Sequence, residues 1–101
     1  CHVTVVLRGE RTFRNPYSLL SSPRHLDAYQ IAVRRDDHGR GGSLFLHEQV
    51  RAGSRLEIAH PVNLFPLDKL ARKQILVAGG VGITPMLAMI DDLSSNATPW
   101  E

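Results

Sequence analysis

Cysteine is almost absent from this sequence: Cys1 is the single one in 101 residues. One thiol builds no disulfide framework, no cysteine-based metal site and no iron–sulfur ligand set. A reducing, cytoplasmic setting is the expectation. Aromatic residues are scarce as well, at 6%. No apolar run approaches the ~20 residues that span a bilayer, and no secretory leader is visible. Neither sign of charge dominates, since 12 Lys and Arg against 10 Asp and Glu leave +2 with the histidines neutral. The cations are scattered and do not alternate with aromatics, so neither nucleic acid nor a membrane is the expected partner. His2, His25, His38, His47 and His60 show no ligand spacing, and no metal site is expected. There is no Gly-x-Ser-x-Gly, and no histidine is spaced to serve Ser18, Ser43 or Thr84, which disfavours a serine hydrolase. The neighbouring acids Asp36-Asp37 and Asp91-Asp92 suit a loop and a helix surface better than a catalytic dyad.

What is present divides the chain into two grammars. Residues 2–8, HVTVVLR, are β-branched and end at Gly9, which predicts a strand. Residues 12–19 are extended, because Pro16 disfavours helix at Asn15. Ser21-Ser22-Pro23-Arg24 predicts a turn, 29–35 (YQIAVRR) a strand, and 36–42 a polar, glycine-rich loop. A short helix follows over 43–50 with Ser43 as its N-cap, then a strand over 55–59 and a linker over 60–73 with Pro61 and Pro66. From Gln74 the pattern changes. QILVA (74–78) is the continuous apolar run of a strand covered on both faces of a parallel sheet. A tight turn at 79–82 leads to Thr84 as N-cap and Pro85 at the first helical position. The helix runs over 86–93, and Trp100 opens the next strand. The fold class is therefore mainly β with an α/β tail. Residues 1–66 form an antiparallel barrel and 67–101 the first β-α unit of a parallel domain.

Three segments carry candidate chemistry. In Gly39-Arg40-Gly41-Gly42-Ser43, glycines permit close backbone approach and a helix N-terminus offers free amides, a ready anion site. Arg34, Arg35 and Arg40 supply countercharge. A flexible loop with solvated arginines fits the same residues. Gly79-Gly80-Val81-Gly82-Ile83-Thr84-Pro85 lies between a buried strand and a helix, the setting of a dinucleotide loop, although Pro85 stands where the third glycine of that pattern would be. A ligand-free strand-to-helix turn is the other reading. In Arg14-Asn15-Pro16-Tyr17-Ser18-Leu19, a tyrosine ring and a serine hydroxyl suit a planar aromatic ligand, or Tyr17 belongs to the core.

Taken in order, Tyr17-Ser18-Leu19, IAVRRDDHGRGGS (31–43), NLFPLDK (63–69) and ILVAGGVGITPML (75–87) resemble phthalate dioxygenase reductase and its vanillate-demethylase relatives, in the ferredoxin reductase-like superfamily. The resemblance implies a flavin-binding barrel followed by a truncated NAD(P)-binding domain. The first barrel strand is expected to be missing before His2, and a 2Fe-2S domain to lie beyond Glu101. It implies hydride transfer from NAD(P)H to bound FMN, with FAD as the alternative, then single electrons to the 2Fe-2S centre. The acceptor is a Rieske-type oxygenase component or a ferredoxin. Tyr17 would pack on the isoalloxazine, Ser18 would sit near flavin N5, and Arg34, Gly41, Gly42 and Ser43 would match the flavin-phosphate turn. Gly79, Gly80, Gly82, Thr84 and Pro85 would match the nucleotide loop, with Ser18 and Thr84 nearest the hydride transfer. Arg14, Asn15 and Leu19 complete the expected flavin contacts. The family carries Arg two residues before the tyrosine, whereas this chain has Asn15, with Arg14 one place earlier and on the other face of a strand. A cofactor-free, inactive fragment is the rival expectation.

Overall fold

A computed structural model describes residues 1–22, 24 and 27–101. Pro23 of the expected 21–24 turn and His25 lie outside the described residues. Strand β1 spans His2–Arg8 and strand β2 Thr12–Ser18. They pair antiparallel along their whole length, from His2↔Ser18 to Arg8↔Thr12. Gly9 turns the chain between them, its amide donating to Arg11 O at 3.1 Å. Pro16 lies opposite Thr4, on an outer strand of the sheet, where a residue without an N–H is tolerated.

Strand β3, Glu57–Ile58, pairs with the other side of β1 at Val5 and Val6. Among the described residues the sheet is three-stranded in the order β2-β1-β3, and it is open. The expected antiparallel barrel is seen over these residues as an open antiparallel sheet, and the physical reason lies in two backbone segments. The predicted strand at 29–35 makes a single bridge, Ile31 to Leu19. Beyond it the Val33 carbonyl accepts from His47 Nε2 at 2.9 Å instead of joining a ladder. The predicted strand at 55–59 shortens to Glu57–Ile58. Ala59 still donates to Thr4 O, and Val62 exchanges bonds with His2, but the regular ladder stops at Ile58.

Helix α1 covers Gly42–Gln49 and packs beside β1 and β2. Val3, Val5, Leu7 and Leu19 are the buried cluster, with Phe13, Tyr17, Ile31, Phe45 and Leu46 packed against it. Helix α2 covers Thr84–Ser95, entered through a 3-10 turn at Gly80–Ile83. Met89 and Leu93 are its buried residues. The run 74–78 makes one parallel bridge, Gln74 to Trp100, with Leu76 N donating to Glu101 O at 2.7 Å and Glu101 N to Gln74 O at 3.0 Å. This is the parallel connection across α2 that the apolar run predicts. The expected two-sided burial is not seen: Ile75 is 67% and Val77 82% exposed. Two residues of pairing on one side do not bury a strand.

Leu7 is 1% exposed at the centre of the cluster. Leu7→Ala should cost about 2–5 kcal/mol, the usual range for emptying such a site. Urea unfolding followed by circular dichroism measures it. A loss under about 1 kcal/mol would mean that the cluster is not the core.

Candidate functional site

The β1–β2 register decides which β2 side chains face the helix. Phe13, Asn15 and Tyr17 are partly buried, while Arg14 and Pro16 between them are exposed. Arg14 therefore lies on the opposite face from Tyr17, as the alternation of a strand requires. Asn15 shares the Tyr17 face, and its Nδ2 donates to Tyr17 Oη at 3.1 Å. Ser18 closes the strand opposite His2 and is partly buried. Leu19 enters the core, with its amide donating to Cys1 O at 3.0 Å.

The same face meets the start of α1. Gly41 stands at the N-cap with φ of 103°, the left-handed region that glycine alone enters at little cost. Its carbonyl accepts from Phe45 N at 2.9 Å, and no side chain caps the helix. The expected cap, Ser43, is instead the second helical residue. Its Oγ accepts from Asp36 N at 3.1 Å and lies 3.4 Å from Asp36 O. Among the described residues no side chain caps the first amides of α1, and its first turn carries no acidic residue against the positive end of the helix dipole. Gly42 is buried, and a Cβ placed on it would collide with Asn15 Nδ2.

The neighbouring arginines divide their roles. Arg35 binds Asp37 at 2.7 Å and Glu48 at 2.9 Å. Its guanidinium is held above the ordinary range, chiefly by the Asp37 hydrogen bond, with Glu48 adding to it. It is thus committed to carboxylates. Arg34 and Arg40 are exposed and take part in none of the ion pairs among the described residues.

The second loop is laid out differently from its expected capping. Ile83 is the N-cap of α2, so Thr84 is the first helical residue and Pro85 the second. Thr84 Oγ1 donates to Val81 O at 3.0 Å, which ties the 3-10 turn to the helix. The space around Gly79, Gly80 and Gly82 is open: an added Cβ would meet nothing within 4 Å at any of them. A cleft of about 450 Å³ is lined by Leu19 and Pro85, from two of the three candidate segments, together with Tyr29, Phe65 and Met89. The sequence gives these last three no site role, although Phe65 lies in the NLFPLDK stretch (63–69). Among the described residues no group of three or more His, Cys, Asp or Glu is placed to hold a metal ion. Among the described residues no helix is long and apolar enough to cross a membrane.

The site thus combines an antiparallel sheet carrying a tyrosine face against an uncapped helix start with a glycine-rich crossover into a parallel pair. No family model matches the chain. Individual proteins do. The chain is 48% identical over 101 residues to the carnitine monooxygenase reductase subunit of Escherichia coli strain K12, covering 99% of this chain and 32% of that protein. It is 49% identical over 80 residues to phthalate dioxygenase reductase of Burkholderia cepacia, covering 79% and 25%. A solved phthalate dioxygenase reductase, described as a modular structure for electron transfer from pyridine nucleotides to [2Fe-2S], superposes with a TM-score of 0.91 at 41% identity, covering 98% of this chain and 30% of that one. Along nearly its full length the chain is similar to members of the phthalate dioxygenase reductase family, and it spans about a third of the length of the carnitine monooxygenase reductase subunit.

Ser43→Ala removes both contacts to the Asp36 backbone. It should lower stability by about 1 kcal/mol and speed hydrogen exchange at the Asp36 amide. Unchanged exchange there would show that the 36–43 loop is held by other contacts.

Proposed function

We propose that this chain is the flavin-holding part of a reductase that takes a hydride from NAD(P)H into bound FMN. Single electrons then pass to a 2Fe-2S centre that serves a Rieske-type oxygenase component or a ferredoxin. The observation that carries the reading is the Tyr17–Asn15 face set against the uncapped start of α1, in a chain similar along nearly its full length to oxygenase reductase subunits. The donors fit a phosphate. The helix start is free of capping side chains, and the glycines at 79, 80 and 82 leave room for a dinucleotide to approach backbone.

Flavin, when bound, supplies the conversion of a two-electron hydride into one-electron steps. This chain's residues bind and orient. Tyr17 packs its ring on the isoalloxazine, and Ser18 is the group assigned to the hydride-accepting nitrogen. Gly41, Gly42 and Ser43 present amides to the phosphate, and Arg34 adds charge from the loop. Arg14, on the exposed face, contributes at most to the long-range field. Gly79, Gly80, Gly82 and Pro85 form the nucleotide turn. Thr84, whose hydroxyl now holds the turn through Val81 O, is assigned to the nicotinamide side. Residues 1–66 are the flavin unit and 67–101 the start of the NAD(P) unit, a division supported by the change from antiparallel to parallel pairing. Neither nucleic acid nor a membrane is a partner in this reading, and the setting is the cytoplasm.

Titrating the chain with FMN, FAD and riboflavin by fluorescence quenching tests the reading. FMN should bind more tightly than riboflavin, with the gap narrowing as salt rises from 0.05 to about 0.5 M and screens the phosphate. Tyr17→Ala should weaken FMN by about three- to tenfold, the scale of one aromatic stacking contact. Tighter binding of FAD would move the assignment to an FAD enzyme, and the absence of any flavin binding would favour the cofactor-free fragment.

A further inference from the structure

Asn15 joins the two halves of the candidate site. We propose that Asn15 is a positioning residue for Tyr17, and that its amide occupies the space a side chain at position 42 would need. The first half rests on Tyr17 being the flavin-stacking residue; the second does not.

Asn15 and Tyr17 are two residues apart on one face of β2, and the 3.1 Å bond from Asn15 Nδ2 fixes the hydroxyl end of the Tyr17 ring. The ring itself packs against the Val3–Val5–Leu7–Leu19 cluster. A tyrosine held at both ends offers a fixed plane for stacking, whereas one held only by apolar contact can rock. The amide also lies against the start of α1. A Cβ on Gly42 would strike Asn15 Nδ2, and it would sit 3.1 Å from Asn15 Cγ and 3.4 Å from Oδ1. Backbone conformation does not account for this glycine, since Gly42 is not among the glycines of positive φ. It is the first residue of α1, where alanine would ordinarily be favoured by helix propensity. The departure from the family's arginine thus has a structural counterpart. A short neutral amide fits between the helix start and the tyrosine hydroxyl, and bonds to the latter.

The test uses the 101-residue chain with Asn15→Ala, Tyr17→Phe, Gly42→Ala and the pairwise doubles. Two quantities are read for each, the FMN dissociation constant and the thermal midpoint by circular dichroism. Asn15→Ala and Tyr17→Phe should each weaken FMN by about three- to tenfold, the scale of one neutral hydrogen bond. The double should be no weaker than either single, because both remove the same bond. Gly42→Ala should lower the midpoint when Asn15 is present, and should leave the midpoint unchanged or raise it when residue 15 is Ala. Additive losses in the Asn15–Tyr17 pair would overturn the positioning role. An equal penalty for Gly42→Ala in both backgrounds would overturn the steric claim. Should the unmodified chain bind no FMN, the flavin reading fails and the positioning role fails with it, while the coupling of the midpoints still decides the Asn15–Gly42 contact.

Discussion

The antiparallel ladder between β1 and β2 sets everything that follows from it. Its register, Val3 opposite Tyr17 and Val5 opposite Asn15, places Phe13, Asn15 and Tyr17 on the side of α1 and sends Arg14 and Pro16 to solvent. A slip of one residue would exchange the two sets. Arg14 would then face the helix start, and Tyr17 would leave the core. The burial of Val3, Val5 and Leu7 on β1 holds the register, because those side chains have no alternative place out of water. The surface ion pair Arg8–Glu57 at 2.8 Å, exposed on both sides, adds little to that.

On this frame the chemistry is mostly backbone. A helix opening at a left-handed glycine has donors and no competing side-chain cap, and Arg35 of the neighbouring loop is taken by Asp37 and Glu48. The division of labour suits a protein whose reactive group is a cofactor: the polypeptide supplies shape, donors and a flat ring. No acid–base dyad is required. The glycine-rich crossover at 79–85 follows the same economy, with open space above the glycines and Thr84 holding the turn from beneath.

Much of this arrangement was legible in the sequence. β1 is read to its exact ends because a β-branched run is closed by Gly9, and α1 to within a residue at each end because a glycine-rich loop precedes it. The alternation of β2 already separates Arg14 from Asn15. What sequence missed depends on contacts between distant segments. Nothing local reports that His47 takes the Val33 carbonyl, which is where the expected strand at 29–35 fails. Ser43 is a good cap by residue type, yet Asp36 reaches it first. Asn15 reads as a weakened substitute for arginine until its neighbours, Tyr17 Oη and Gly42, are seen together.

The most direct test of a flavin seat at the α1 start is amide chemical-shift mapping of the labelled chain as FMN is added. The account predicts that the largest shifts fall on Gly42, Ser43 and Leu44 and on Tyr17 and Ser18, while residues 51–58 stay still. Shifts confined to other surfaces, with the α1 start unmoved at saturating FMN, would contradict it.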